Sequence, residues 1–359
     1  MTTKNKQLDF TGQNIYVGLD THKKSFSVSI EGERLFYKTF TQPPVPEILA
    51  DHLHKNYPGA NFYAAYEAGF CGFWIQQQLE RLGINCIVVN PCDIPTTDKE
   101  KKQKRDSLDS KRLARCLKNG ELHAIHVPET ITQQDRTLLR TREEIIGNQT
   151  RCRNRIKGLL YFYGINLPEQ FQKSGTHWSK RFMKWIDELS LEHISGRKAL
   201  DLLVKEANSL RALLLECDKE IVTLSKEERY SGNVNLLITI PGIGRLIAMI
   251  LLTEIGDINR FKRLDDLCSY IGLIPNVYSS GESENVGDIT KRGNRHVRTF
   301  IIESSWIAVR NDPALGCKYH ELCNRMPANK AIIRIAKKLT NRIRYVLLNK
   351  EEYEFAIAA

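Results

Sequence analysis

In "NIYVGLDTHKKSFSVSI" apolar and polar positions alternate with a period of two, and "ERLFYKTF" repeats the pattern. Half-buried strands have that period, so three short strands are expected, the first two meeting near Asp20. "VPEILADHLHKNY" spaces its apolar residues as a helix does. "NFYAAYEA" reads as a strand ending at Glu67, "FWIQQQLERLG" as a helix, and "INCIVVNP" as a buried strand stopped by Pro91. A helix over residues 107–118 follows. Hairpin strands, then alternating helices and strands, predict a mixed sheet with helices packed on it.

Past residue 128 the period changes. Ile145, Gln149, Cys152, Ile156, Leu159 and Tyr163 follow at steps of four and three, as do Leu203, Ala207, Leu210, Leu214, Cys217, Ile221 and Leu224. These are heptad seams of a helical coiled coil, which pair with each other as an antiparallel hairpin or with a second chain. The intervening "QKSGTHWSKRFMKWIDELS" is polar and aromatic and is expected to cap the hairpin tip. In "LLITIPGIGRLIAMILLTEIG" a Pro-Gly-x-Gly turn separates two apolar helices, the helix-hairpin-helix pattern. Backbone amides at Gly242 and Gly244 can face phosphate in such a turn; the alternative is a purely structural hairpin. The expected domains are an α/β unit over 12–128, a helical coiled-coil middle over 129–232 and a mostly helical unit over 233–350.

Composition narrows the class. The 359 residues are 42% hydrophobic, enough for real cores. No run approaches the apolar length of a membrane span, and the polar N-terminus lacks a signal-peptide core, so a cytoplasmic protein is expected. The nine cysteines are odd in number and form no CxxC, which argues for reduced thiols over a zinc ribbon or disulfides. Cys317, His320 and Cys323 are close enough in sequence to ligate a metal but lack a second pair. The net charge is +11, and residues 286–350 carry 14 Lys plus Arg against 4 Asp plus Glu. A polyanion such as nucleic acid is the economical partner for that segment.

Four carboxylates stand at suggestive places. Asp20 and Glu67 lie at strand ends, and Asp106 and Asp109 lie one helical turn apart on a shared face. Carboxylate oxygens converging from several elements suit Mg²⁺ and phosphoryl transfer. The bland readings are a turn residue for Asp20 and a helix cap for Asp106. The order of elements is that of an RNase H-like (RuvC-like) fold, which favours the first reading. Lys101, Lys102, Lys104 and Arg105 form a phosphate-attracting stretch or a solvated loop. Downstream, Ser279 and Ser280 precede Gly281, and Lys291, Arg292, Arg295 and Arg298 crowd a Gly-Asn turn. Cations beside an oriented serine can hold a phosphodiester; an ordinary polar loop has the same composition.

Taken together these segments resemble the DEDD-type transposases of insertion sequences, also described as bridge-RNA-guided recombinases. The resemblance runs through "VGLDTHKKSFSVSI", "YEAGFCGFWIQQQLERLGINCIVVNP", "KRDSLDSKRLARCLKNGEL", "IPGIGRLIAMILLTEIGDINRFKRLDDLCSYIGLIP", "SSG" and "GDITKRGNRHVRTFIIESSW". It implies an RuvC-like domain with Asp20, Glu67, Asp106 and Asp109 as Mg²⁺ ligands, and a C-terminal transposase domain with Ser280 as nucleophile, Ser279 being the nearest competitor. It further implies a transient serine–DNA linkage, donor and target DNA paired by a non-coding guide RNA, a homodimer assembling to a tetramer, and action at the nucleoid. Two departures from the family pattern are "AGFCG" after Glu67 and Ser110 in place of alanine. The alternative is a RuvC-like metal-dependent nuclease without a serine nucleophile. A non-enzymatic nucleic-acid-binding protein is a third reading.

Overall fold

The computed structural model describes residues 9–96, 106–280, 283–290 and 292–355, without the side chains of residues 106, 107, 276–280, 283–286 and 288. The chain divides into two compact units, Met1–Pro128 and Glu129–Ala359.

In the first unit, β1 (Asn14–Thr21), β2 (Phe26–Gly32), β3 (Phe36–Gln42), β4 (Asn61–Glu67) and β5 (Asn85–Val89) form one sheet in the order β3-β2-β1-β4-β5. β1 pairs antiparallel with β2 and parallel with β4, which makes the sheet mixed as expected. Alternation sorts the side chains. Ile15, Val17 and Leu19 of β1 are fully buried and belong to one apolar cluster with Leu49 and Leu53 of α1 (Pro46–Asn56) and Ile75 and Leu79 of α2 (Trp74–Arg81).

The opposite face of β1 is made for α3 (Asp106–Lys118). A Cβ at Gly18 would sit 2.0 Å from the Ser110 carbonyl oxygen and 2.5 Å from the Ala114 nitrogen. The helix therefore lies directly on strand backbone, and any side chain at residue 18 would lift it off. Ser110, buried, is the polar clasp of this contact. Its hydroxyl lies 2.9 Å from Ser29 Oγ and 3.3 Å from Ser27 Oγ, and Ser29 Oγ meets Thr39 Oγ1 at 2.7 Å. An alanine at 110 would take this partner from buried Ser27 and leave Ser29 with Thr39 alone. The departure at Ser110 thus has a local reason in β2.

In the second unit, α4 (Thr130–Phe162) and α6 (Ile194–Leu224) pack against each other. Cys152 and Ile156 on one, and Ala207, Cys217, Ile221 and Leu224 on the other, are buried seam positions. α4 begins well before the first seam residue. The tip segment is more than a polar cap. Phe171, with Phe182 and Ile186 of α5 (Lys180–Glu188), joins Cys152, Ile156, Leu160 and Leu200 in a small core. Ser179 starts α5 by accepting a hydrogen bond from Phe182 N.

The remaining elements are α7 (Glu228–Leu237), α8 (Arg245–Ile255), α9 (Leu264–Ile271), the antiparallel pair β6 (Pro275–Ser280) and β7 (Ser283–Ile289), α10 (Arg295–Asn311), α11 (Pro313–Cys323) and α12 (Ala328–Asn349). All eight residues from Ala248 to Ile255 of α8 are buried, so α8 is the centre of the unit's largest apolar cluster. Gly242 has φ +89°, and a Cβ there would lie 2.4 Å from the Ser304 carbonyl oxygen of α10. Close backbone packing accounts for this glycine. Among the described residues no helix is long and apolar enough to cross a membrane.

Candidate active site

The first unit brings carboxylates to one end of the sheet. Leu19 pairs with Tyr66 across parallel strands, so Asp20 and Glu67 follow side by side at the C-terminal ends of β1 and β4. Ligands gather at such strand ends in sheets of this kind. Asp20 is not a turn residue: it pairs with Ser27 inside the β1–β2 ladder. Its Oδ2 lies 3.1 Å from His22 Nε2. His22, exposed as the turn position suggests, is thus also a partner of Asp20, which its sequence position did not signal.

Glu67 and Asp109 are drawn together by a residue that sequence reading passed over. One Arg112 nitrogen, Nη2, lies 3.0 Å from Glu67 Oε1 and 3.0 Å from Asp109 Oδ1. The arginine side chain is only 13% exposed. Its spacing of three from Asp109 was the available signal. The loop after Glu67 is anchored by Tyr66, whose buried hydroxyl donates to the Gly72 carbonyl at 2.9 Å and accepts from Gln76 N at 3.3 Å. Burial pushes the Tyr66 phenol well above its ordinary pKa. Cys71 of "AGFCG" meets Thr21 Oγ1 at 3.4 Å, tying that loop to the end of β1.

Asp106 begins α3, its side chain lying outside the described residues, as do Lys104 and Arg105 altogether. Among the described residues no three Asp, Glu, His or Cys side chains gather closely enough to hold a metal ion, and Cys317, His320 and Cys323 are no exception. The donor set at the sheet end nonetheless fits a hard cation. Glu67 and Asp109 oxygens already converge on one shared positive nitrogen, the charge complement such an ion supplies.

In the second unit Ser280 closes β6, where it pairs with Ser283, and Ser279 pairs with Glu284. The serine side chains and Lys291 lie outside the described residues. What holds the base of this strand pair is well defined. Thr290 N donates to the Ile274 carbonyl at 3.0 Å and Asn294 N to the Tyr270 carbonyl at 2.7 Å. Arg298 Nη1 donates to the Thr290 and Arg292 carbonyls, both at 3.1 Å, so this arginine serves the loop's shape. Arg295, exposed at the first turn of α10, and Arg292, exposed before it, face solvent more openly. Gly244 caps α8 with open space where a Cβ would stand, in contrast to Gly242.

Behind this segment lies a buried charge node. Glu254, 3% exposed, takes Arg140 in a two-pronged ion pair, Nε to Oε1 at 2.7 Å and Nη2 to Oε2 at 3.0 Å. Arg136 donates to the Thr253 carbonyl at 3.1 and 2.8 Å. Asn294 Nδ2 donates to Glu254 Oε2 at 2.8 Å, while Asn294 Oδ1 caps α10 through Val297 N. Tyr270 OH donates to the Glu254 carbonyl at 2.6 Å. Burial alone would raise the Glu254 pKa, but Arg140, Arg136 and Asn294 outweigh it and hold the carboxyl below its ordinary value.

Two family models match the chain. One for DEDD transposases covers residues 17–165, and one for transposases of the IS116/IS110/IS902 family covers residues 234–320. The chain belongs to the IS110-type insertion-sequence transposases. The matched spans take in the acidic positions of the first unit and the serine segment of the second. Several relatives match along most of this transposase. A Sinorhizobium fredii protein bearing the transposase designation y4qE is 29% identical over 291 residues, 80% of this chain and 68% of its own. The transposase for insertion sequence element IS1111A of Coxiella burnetii is 28% identical, covering 76% of this chain and 74% of its own. The transposase for IS1533 of Leptospira borgpetersenii is 24% identical, covering 82% and 85%. The DEDD transposase acts on DNA, and domains of its class generally use a divalent metal ion.

Proposed function

We propose that this transposase is an RNA-guided DNA recombinase that cuts and rejoins strands through Ser280, with Asp20, Glu67, Asp106 and Asp109 as the ligands of Mg²⁺. The observation that carries the metal half is the convergence of Glu67 and Asp109 on one cation beside Asp20. A bound divalent ion there would stabilise charge on a phosphate oxygen. Ser280 Oγ attacks the phosphorus; a serine–phosphate bond forms, a phosphorus–oxygen bond of the DNA breaks, and the departing deoxyribose oxygen takes up a proton. The linkage conserves bond energy, so rejoining to a new strand needs no ATP. His22, beside Asp20, fixes the carboxylate's orientation.

Three domains (12–128, 129–232, 233–350) divide the work in this reading, with the paired long helices as a coiled coil and the Gly242–Gly244 turn as a helix-hairpin-helix. A homodimer pairs to a tetramer on donor and target DNA, and a guide RNA supplies sequence selection while the protein supplies charge and shape. Such an enzyme works at the bacterial nucleoid. The nucleic-acid contacts fall to Lys104, Arg105, Gly244, Lys291, Arg292 and Arg295. Gly242 and Arg298, nominated with them, contribute through the packing and loop bonds already described.

One clear stripe supports a nucleic-acid face. Lys330, Arg334, Lys338, Asn341 and Tyr345 are the exposed positions of α12 at steps of four and three, opposite its buried Ile332, Ile335, Leu339 and Ile343. Cations with a terminal aromatic suit phosphates and an unpaired base. Replacing Arg334 and Lys338 by glutamine is expected to weaken nucleic-acid binding and lower the slope of log affinity against log salt by about two. A salt titration by fluorescence anisotropy reads this directly; an unchanged slope removes α12 from the interface.

The reading as a whole is tested by recombination between supercoiled donor and target plasmids. Recombination is expected with the RNA that copurifies from cells carrying the whole element, and none after ribonuclease treatment. Full activity without RNA ends the guided reading. Nicking without joined products favours the RuvC-like nuclease instead.

A further inference from the structure

Arg112 is an odd ion-pair partner. A permanent arginine–carboxylate bridge is commonly two-pronged, two parallel N–H groups to two oxygens. That geometry is present in this chain at Arg140 and Glu254. At Arg112 a single nitrogen serves both Glu67 and Asp109, while its Nε is buried without a hydrogen-bond partner among the described residues. A buried donor left idle costs stability, so the side chain is not placed to optimise its own bonding. It is placed where one positive centre meets two carboxylates from different elements, β4 and α3. The side chain is long, 13% exposed and attached to the helix that carries Asp109, so it can leave the acidic pair without a change in the fold.

We infer that Arg112 is a resident counter-cation of the acidic site: it occupies Glu67 and Asp109 while no divalent ion is bound and must give way when one enters. It is a positioning residue that sets metal affinity. This rests on the reading of Glu67 and Asp109 as metal ligands. Without such a charge, two carboxylates this close would repel each other in the metal-free protein. With it, the site stays assembled, and binding becomes an exchange of cations, at the cost of affinity.

The sign of the effect separates this role from an ordinary supporting one. Removing a residue that orients metal ligands typically weakens binding by about 10–100-fold. Removing a competing cation tightens it. Manganese binding to the full chain, followed by isothermal titration and by the electron paramagnetic resonance of free Mn²⁺, reads the difference without any turnover. Arg112→Gln and Arg112→Ala are expected to bind Mn²⁺ about tenfold more tightly than the unmodified chain, and Arg112→Lys, which keeps the charge, to stay within about threefold of it. The glutamine variant retains polar bulk, so a folding defect in the alanine variant leaves the comparison intact. Unchanged or weaker binding in Arg112→Gln overturns the inference. Asp109→Asn tests the underlying reading separately: if it binds Mn²⁺ as the unmodified chain does, the metal-site assignment falls and the role of Arg112 falls with it.

Discussion

Ser280→Ala is expected to lower recombination by about three orders of magnitude or more, because no second group replaces a covalent nucleophile. Affinity for DNA and RNA should stay near that of the unmodified chain, since the change removes one oxygen. Ser279→Ala, one position earlier in β6, should recombine at close to the normal rate. A denaturing gel of the reaction with labelled DNA supplies the second readout, a protein–DNA adduct that disappears in Ser280→Ala and persists in Ser279→Ala. Normal recombination by Ser280→Ala would end the serine mechanism. Residual nicking that survives in Ser280→Ala but vanishes in Asp20→Asn would shift the assignment to hydrolysis at the acidic site.

The largest effect on stability is expected at Glu254. Removing one partner of a buried ion pair strands the other charge, and such changes cost about 3–5 kcal/mol. Glu254→Ala strands Arg136, which is 15% exposed, and frees Asn294, the cap of α10, while Arg140, 44% exposed, re-solvates, so a loss at the lower end of that range is expected. Urea unfolding followed by tryptophan fluorescence is a suitable measurement, because Trp178, Trp185 and Trp306 all lie in the second unit and only Trp74 in the first. A shift below about 1 kcal/mol would mean that the arginines re-solvate freely. The pH dependence has a definite sign. The folded Glu254 carboxyl titrates below its ordinary 4.5, so its stabilisation is complete above that value and is lost as pH falls through the lowered folded pKa. Glu254→Gln should therefore be less stable at neutral pH and lose less of its remaining stability on acidification.

How much of this was legible in the chain depended on the range of the interaction. Strands β1 to β3 are legible through alternation and β5 as a buried apolar run stopped by Pro91, and the carboxylates at strand ends through position. The helix carrying Asp109 was equally plain. Contacts that join distant segments were not. Arg112 reaches Glu67 across 45 residues, Arg140 reaches Glu254 across 114, and Ser110 meets Ser29 across 81. Each of these residues also has an ordinary solvent-facing or helix-surface reading, so no local pattern marks them. Ser110 is instructive, because it looked like a departure from the family and is explained by two serines in β2. The tip segment was legible only in part. It reads as a polar and aromatic cap of the hairpin tip, and the structure adds that Phe171, Phe182 and Ile186 bury together once the two long helices supply the opposing wall.

The long helix α4 is clamped near its start, where Arg136 and Arg140 enter the node around Glu254 and Asn294. From Arg140 to Phe162 it then runs about 33 Å at 1.5 Å per residue. That makes it a cantilever whose fixed end is wired to the cap of α10 and so to the base of the serine-bearing strands. The far end is bound to α6 and to the tip core, so the hairpin moves as one arm: about ten degrees of tilt at the clamp corresponds to about 6 Å near the exposed Tyr161 and Phe162. The hairpin tip and the base of β6 and β7 thus share one mechanical connection, through Glu254 and Asn294.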